Sequence, residues 1–235
     1  MMPAVLFDVD GTLVKGQGAG RMALSRGLEQ VLGVPAERAL DVTARIDYRG
    51  STDQKILAQI FALLELSDEE SRTSVMEAYV GHLPACIEES GMALLPGAGE
   101  LVDRLRASGV RVGLLTGNVR AAARLKVAPF GLAGLADAPG GFGDDARERA
   151  EIARIARDRL AHSGGPPRPL VVVGDTEWDV SAARAVGAAA VAVETGWTGR
   201  EELVAAGPDL LLPDLQDSSE LLALLGGQGI GQARR

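Results

Sequence analysis

The sequence predicts an α/β protein: a parallel, Rossmann-like sheet with helices on both faces, plus an inserted all-helical domain near its start. Three observations carry this reading. Apolar runs bounded by turn residues, such as AVLF (4–7), PLVVVGDT (169–176) and AAAVAVETG (188–196), have the character of strands buried on both faces. From residue 93 onward these runs alternate with helical patterns, the βαβ rhythm of a parallel sheet. Between 16 and 92 the periodicity is helical throughout.

In chain order, the first strand runs straight into Asp8, Asp10, Gly11 and Thr12. KGQGAG (15–20) follows as a glycine-rich hinge. In RMALSRGLEQVLG (21–33), Met22, Leu28, Val31 and Leu32 share one helical face and Gly33 is the stop. KILAQIFALLEL (55–66) repeats the pattern through Ile56, Leu57, Ile60, Phe61 and Leu64. The next helix opens with Ser67 as N-cap and Glu70 three residues on, a capping-box spacing. GMALLPGAG (91–99) is the return hinge. GELVDRLRASG is a helix closed by Gly109, and VRVGLLTGN (110–118) is a strand ending in Thr116-Gly117-Asn118. ERAEIARIARDRL (148–160) is a helix, and the next strand ends at Asp175. DVSAARAVG is a helix stopped by Gly187, and DLLLPDL (209–215) is a short edge strand. The expected domains are a core of 1–15 with 93–226, a helical cap of 16–92 and a disordered tail of 227–235.

Composition narrows the function. With 46% hydrophobic residues, 24% charged and 3% aromatic, the chain is globular and its core is Leu, Val and Ala. A formal charge of −8 argues against a nucleic-acid groove, which needs clustered Lys and Arg. No apolar run reaches the roughly 20 residues of a membrane span, and the N-terminus lacks the basic and apolar regions of a signal peptide. Cys86 is the single cysteine, so no intrachain disulfide forms, which fits a reducing cytoplasm.

Three predicted strands end in polar residues: Asp8/Asp10, Thr116/Asn118 and Asp175/Asp179. In an open parallel sheet such ends converge where ligands bind. Alternation along a strand sends Asp8 and Asp10 to the same side, and two close carboxylates need a cation, for which Mg²⁺ is suited by its preference for oxygen. Backbone N–H groups where a strand gives way to a helix, as at Thr116–Asn118, hold phosphate oxygens.

On DVDGTLV (8–14), LLTGN (114–118) and GDTEWDV (174–180), in that order and on these elements, the chain resembles the haloacid dehalogenase-like hydrolase superfamily. The resemblance is to its capped Mg²⁺-dependent phosphatases, relatives of phosphoglycolate phosphatase and β-phosphoglucomutase, and covers residues 3–215. It implies a phosphomonoester hydrolase for a small phosphorylated metabolite. Asp8 is then the nucleophile that forms an aspartyl-phosphate, and Asp10 the acid and base. Mg²⁺ is held by Asp8, the Asp10 backbone carbonyl and Asp175, with Asp179 acting through water or orienting Asp175. Gly11, Gly117 and Asn118 bind the phosphate beside Thr116.

The family also needs a lysine on the phosphate and Asp8. The usual Lys-Pro pair ahead of the acidic motif is missing, and the chain's only lysines are Lys15, Lys55 and Lys126, among 21 arginines. Lys126, in ARLKV, is the candidate that a subset of the family supports. From a helix starting at Val119 it lies about 10 Å along the axis, at the limit of its reach, with Arg147 or Lys15 as substitutes. In YRGSTDQKI (48–56), Gly50 marks a turn and Ser51, Thr52 or Asp53 a helix cap; by resemblance this loop faces the site, Thr52 binding substrate and Arg49 reading a second anion. Asp144 and Asp145 read as caps, and Trp178 and Trp197 as packing residues, with Trp178 a possible pocket wall. A phosphomutase or phosphonatase of the same superfamily and a catalytically silent metal-binding scaffold are the competing readings. Retention of Asp8, Asp10, Thr116 and Asp175 argues against the scaffold.

Overall fold

A computed structural model of the chain describes residues 2–226; the tail expected at 227–235 lies outside the described residues. Five parallel strands form the main sheet: β1 (Ala4–Phe7), β4 (Arg111–Leu114), β5 (Leu170–Gly174), β6 (Ala189–Val193) and β7 (Leu210–Leu212). Their spatial order is β4-β1-β5-β6-β7, so β7 is an edge strand, as DLLLPDL predicts. Two short strands, β2 (Val14–Lys15) and β3 (Ala93–Leu94), pair antiparallel. The two expected hinges are therefore tied to each other where the chain leaves and re-enters the core.

Each face of the sheet is covered. Val5 and Phe7 point into one apolar cluster with α5 (Ala98–Ala107), α6 (Arg120–Val127), α7 (Gly134–Asp137) and α11 (Ser219–Leu225). Ala4 and Leu6 point into another with α8 (Arg149–Gly164), α9 (Glu177–Ala185) and α10 (Arg200–Ala205). Alternate residues of one strand serving two cores explain why AVLF is apolar without a break.

Residues 19–90 hold α1 (Ala19–Leu32), α2 (Ala36–Ala44), α3 (Asp53–Leu63) and α4 (Glu69–Ser90). These helices build a third cluster of their own around Leu28, Phe61 and Tyr79, which also takes in Val119 and Ala122 at the start of α6. Helix α6 thus packs on the sheet through Ala123 and Val127 and on the helical segment through Ala122. The N-cap of α4 is Asp68, not Ser67: its carboxylate accepts the N–H groups of Glu70 and Ser71, which a charged acceptor does better than a hydroxyl. Thr52 is the N-cap of α3. Among the described residues no helix is long and apolar enough to cross a membrane.

Candidate active site

Register delivers the site. Phe7 sits beside Leu114 on one neighbour and Val173 on the other, so the strands end level and Asp8, Thr116 and Asp175 begin their loops on one edge. The sheet order reverses at β1, the switch point where open α/β sheets bind ligands. A cavity of about 850 Å³ opens there, lined from the core by Asp8, Asp10 and Asp175 and from the helical segment by Arg21, Tyr48 and Arg49.

Asp8, Asp175 and Asp179 form one carboxylate cluster, each offering an oxygen within 4.8 Å of the others. At that spacing two unit charges repel by roughly 3 kcal/mol at an effective dielectric of about 20. Burial, then the charges of Asp8 and Asp179, push the Asp175 carboxyl well above the usual range. Burial likewise raises Asp179, against the pull of Arg149. Thr12 donates to Asp175 Oδ1 at 3.3 Å. Gly11 has φ +83°, and a Cβ there would lie 2.4 Å from Asp175 Oδ2, so glycine lets this carboxylate lie against the first loop. Both oxygens of Asp179 are engaged: Thr176 N–H and hydroxyl donate to its Oδ2 at 3.1 and 2.7 Å in a capping box, and Arg149 Nη1 donates to Oδ1. Arg149 Nη2 donates to Asp8 Oδ2 at 3.2 Å. Two buried oxygens remain without a partner, Asp8 Oδ1 and Asp175 Oδ2. Orphaned and oxygen-only, they fit a hard divalent cation such as Mg²⁺, whose charge would relieve the repulsion that raises Asp175.

The carboxylate of Asp10 does not join this cluster. The strand ends at Phe7, so simple alternation no longer governs the turn that follows, and Asp10 turns to a different cation. Its Oδ2 accepts from Lys126 Nζ at 2.6 Å and from Asn118 Nδ2 at 2.8 Å, and Lys126 also donates to Asn118 Oδ1 at 2.6 Å. The expected difficulty of reach is absent although α6 does start at Arg120, because helical side chains lean back toward the N-terminus and Lys126 extends along that direction. The expected partner differs: Lys126 bonds to Asp10, and the cation on Asp8 is Arg149. Burial is the largest influence on Lys126 and lowers its pKa, but Asp10 and Asp53 outweigh it and hold the ammonium above its ordinary value.

Thr116 is fully buried; its hydroxyl accepts from Asn118 N–H at 3.3 Å and from Asn118 Nδ2 at 2.9 Å, which orients the amide toward Asp10 and Lys126. Gly117 lies under the helical segment: its carbonyl accepts the Asp53 N–H, and a Cβ would fall 2.3 Å from the Ser51 carbonyl. Asp53 Oδ2 accepts the Val119 N–H at 2.8 Å, and burial pushes its carboxyl up to about 6. Thr52 is not brought into the cavity: its hydroxyl accepts from Lys55 N–H and donates to the Arg147 carbonyl. Arg49 reaches the cavity already paired with Asp47 at 2.9 Å. Neither acid caps α8, the helix they precede, whose N-cap is Glu148: Asp144 accepts the Arg120 N–H at the start of α6, and Asp145 accepts the Phe142 N–H and pairs with Arg159. The tryptophans are not core packing. Each is 51% exposed; Trp197 lines the cavity, and Trp178 lies over Gly50, where a Cβ would come within 1.8 Å of the ring.

Sequence reasoning passed over Arg149, Thr12 and the carboxylate role of Asp53. Arg149 had one local signal: it is the first residue of α8, where the helix dipole disfavours a cation.

The family profile of haloacid dehalogenase-like hydrolases matches residues 2–187. The chain belongs to that family. This haloacid dehalogenase-like hydrolase is 29% identical to a phosphoglycolate phosphatase of Synechococcus elongatus, over 92% of this chain and 95% of the relative. It is 31% identical to a phosphoserine phosphatase of Halobacterium salinarum, over 80% and 84% of the two chains. Its fold is also that of CbbY from Rhodobacter sphaeroides, a structure in complex with phosphate, with a TM-score of 0.72 at 23% identity over 95% and 99% of the chains.

Proposed function

We propose that this hydrolase is a Mg²⁺-dependent phosphomonoesterase for a small phosphorylated metabolite, with residues 16–92 acting as a cap over a core of 1–15 and 93–226. The observation that carries the reading is the pair of buried, unpartnered oxygens, Asp8 Oδ1 and Asp175 Oδ2, beside a cavity at the ends of the strands. Asp8, Asp175 and the Asp10 backbone carbonyl would hold Mg²⁺, which when bound neutralises the charge between an anionic nucleophile and an anionic phosphate.

Asp8 attacks phosphorus and the ester P–O bond breaks, while Asp10 delivers a proton to the leaving oxygen. Asp10 then takes a proton from the water that attacks the aspartyl-phosphate; phosphate leaves and Asp8 is restored. Lys126 and Asn118 fix the Asp10 carboxyl for both transfers. Of the residues expected on the phosphate, Asn118 lines the cavity and Thr116 orients it from behind, while Gly11 and Gly117 do not line it; Arg49 reads a second anion on the substrate only by releasing Asp47. The 850 Å³ cavity suits a small ester.

A panel of phosphate esters, including glycolate phosphate and serine phosphate, assayed with Mg²⁺ and with EDTA tests this reading. Release of inorganic phosphate that EDTA abolishes supports it. Transfer to a sugar phosphate in place of water would make the chain a mutase, and no turnover on any ester with Mg²⁺ present would end the proposal.

A further inference from the structure

Asp53 belongs to the helical segment, yet its bonds cross to the core. It is the first residue of α3, 8% exposed, and its backbone N–H donates to the Gly117 carbonyl at 2.8 Å. Its Oδ2 accepts the Val119 N–H, also at 2.8 Å. Those two groups belong to the two peptide units that flank the Cα of Asn118. Holding both units fixes φ and ψ at Asn118, and with them the direction in which its side chain leaves the backbone. Val119, the N-cap of α6, has no side-chain oxygen with which to hold this turn itself. The core adds the Gly143 N–H on the Asn118 carbonyl at 2.7 Å.

The amide directed in this way is the one that holds Asp10. Asn118 Nδ2 donates to Asp10 Oδ2 at 2.8 Å, and Asn118 Oδ1 accepts from Lys126 Nζ at 2.6 Å. Resting on the phosphatase reading above, we propose that Asp53 is a positioning residue for the proton donor. By clamping the peptides around Asn118 it sets the angle at which the Asp10 carboxyl meets the leaving oxygen. Its side chain contributes through the acceptor oxygen that it gives Val119. A residue outside the core thus helps to build the acid–base half of the site, which is complete only with the helical segment in place. A misplacement of about 1 Å in such a group costs up to about 10²-fold in rate.

The test compares kcat/KM, which covers the steps up to phosphate transfer to Asp8, on two esters. One is the alkyl ester turned over fastest in the panel above, and the other is p-nitrophenyl phosphate. An alkoxide needs a proton to leave, whereas p-nitrophenolate departs as the anion, so only the first depends strongly on Asp10. Asp53→Ala should lower kcat/KM on the alkyl ester about tenfold or more, and raise the aryl-to-alkyl ratio about fivefold or more. Asp53→Asn, which keeps an oxygen for the Val119 N–H, should return that ratio to within about twofold of wild type. Should Asp53→Ala not fold, Asp53→Ser, one bond too short for the Val119 N–H, is read by the same ratio. An unchanged ratio in the shortened variant, or a ratio in Asp53→Asn as high as in that variant, overturns the inference, while wild-type turnover keeps the phosphatase reading standing. A wild type that releases phosphate from neither ester sinks that reading and this inference with it.

Discussion

Asp8 and Asp10 are two residues apart, yet their carboxylates belong to different halves of the site. Around Asp8, three carboxylates share one guanidinium and leave two buried oxygens without a partner. Around Asp10, one carboxylate, one ammonium and one amide satisfy each other, and Asp10 keeps 29% of its side chain exposed. The first half gathers the carboxylates that the proposed Mg²⁺ would bridge. The second is balanced and partly open to water, as the proposed proton transfer needs. On this reading the same residue type is divided between electrostatics and acid–base work by its neighbours.

The division is broken most sharply at Asp8 and Asp10 themselves. Asp8→Asn should abolish phosphate release, by about 10⁴-fold or more, and weaken Mg²⁺ binding as well. Asp10→Asn should cost about 10²–10⁴-fold in kcat while Mg²⁺ affinity measured without substrate stays near wild type. Equal loss of Mg²⁺ binding in both variants would mean that the halves are one unit.

Lys126→Met comes next. It leaves Asp10 without its ammonium and should lower kcat by about 10²-fold and stability by about 2 kcal/mol, less than a fully buried pair because Asp10 is partly solvated. Denaturant melts and initial rates read the two effects separately.

A smaller effect sharpens the balanced half from behind. Asp53 faces Lys126 from the helical segment, and burial raises its carboxyl to about 6 from an ordinary 3.8. A carboxyl raised on folding stabilises the protein most below its unfolded value and loses that contribution as pH rises through the folded one. Asp53→Asn should therefore gain stability relative to wild type by about 2 kcal/mol between pH 4 and pH 7. A difference between the two proteins that does not change with pH would remove Asp53 from the electrostatics of this half.

The smallest effect lies in the helical segment. Thr52→Ala removes the N-cap of α3 and should cost about 1 kcal/mol in a thermal melt with little change in KM. A large KM increase would return Thr52 to the substrate pocket.

Much of this molecule can be read along the chain. Unbroken apolar runs mark β1, β5 and β6 because a strand with a core on each face has no position for a polar residue, and Asp8, Thr116 and Asp175 stand out as the polar residues just beyond such runs. Helical periodicity marks α1 and α3 for the same local reason. Partner choice is another matter. Lys126 on Asp10, Arg149 on Asp8 and Asp53 under Val119 join residues 116, 141 and 66 positions apart. A charged side chain carries no mark of which opposite charge it will meet, since that depends on where two separately folded elements come to rest. Strand ends are a property of neighbouring residues; ion pairs across the site are a property of the packed molecule.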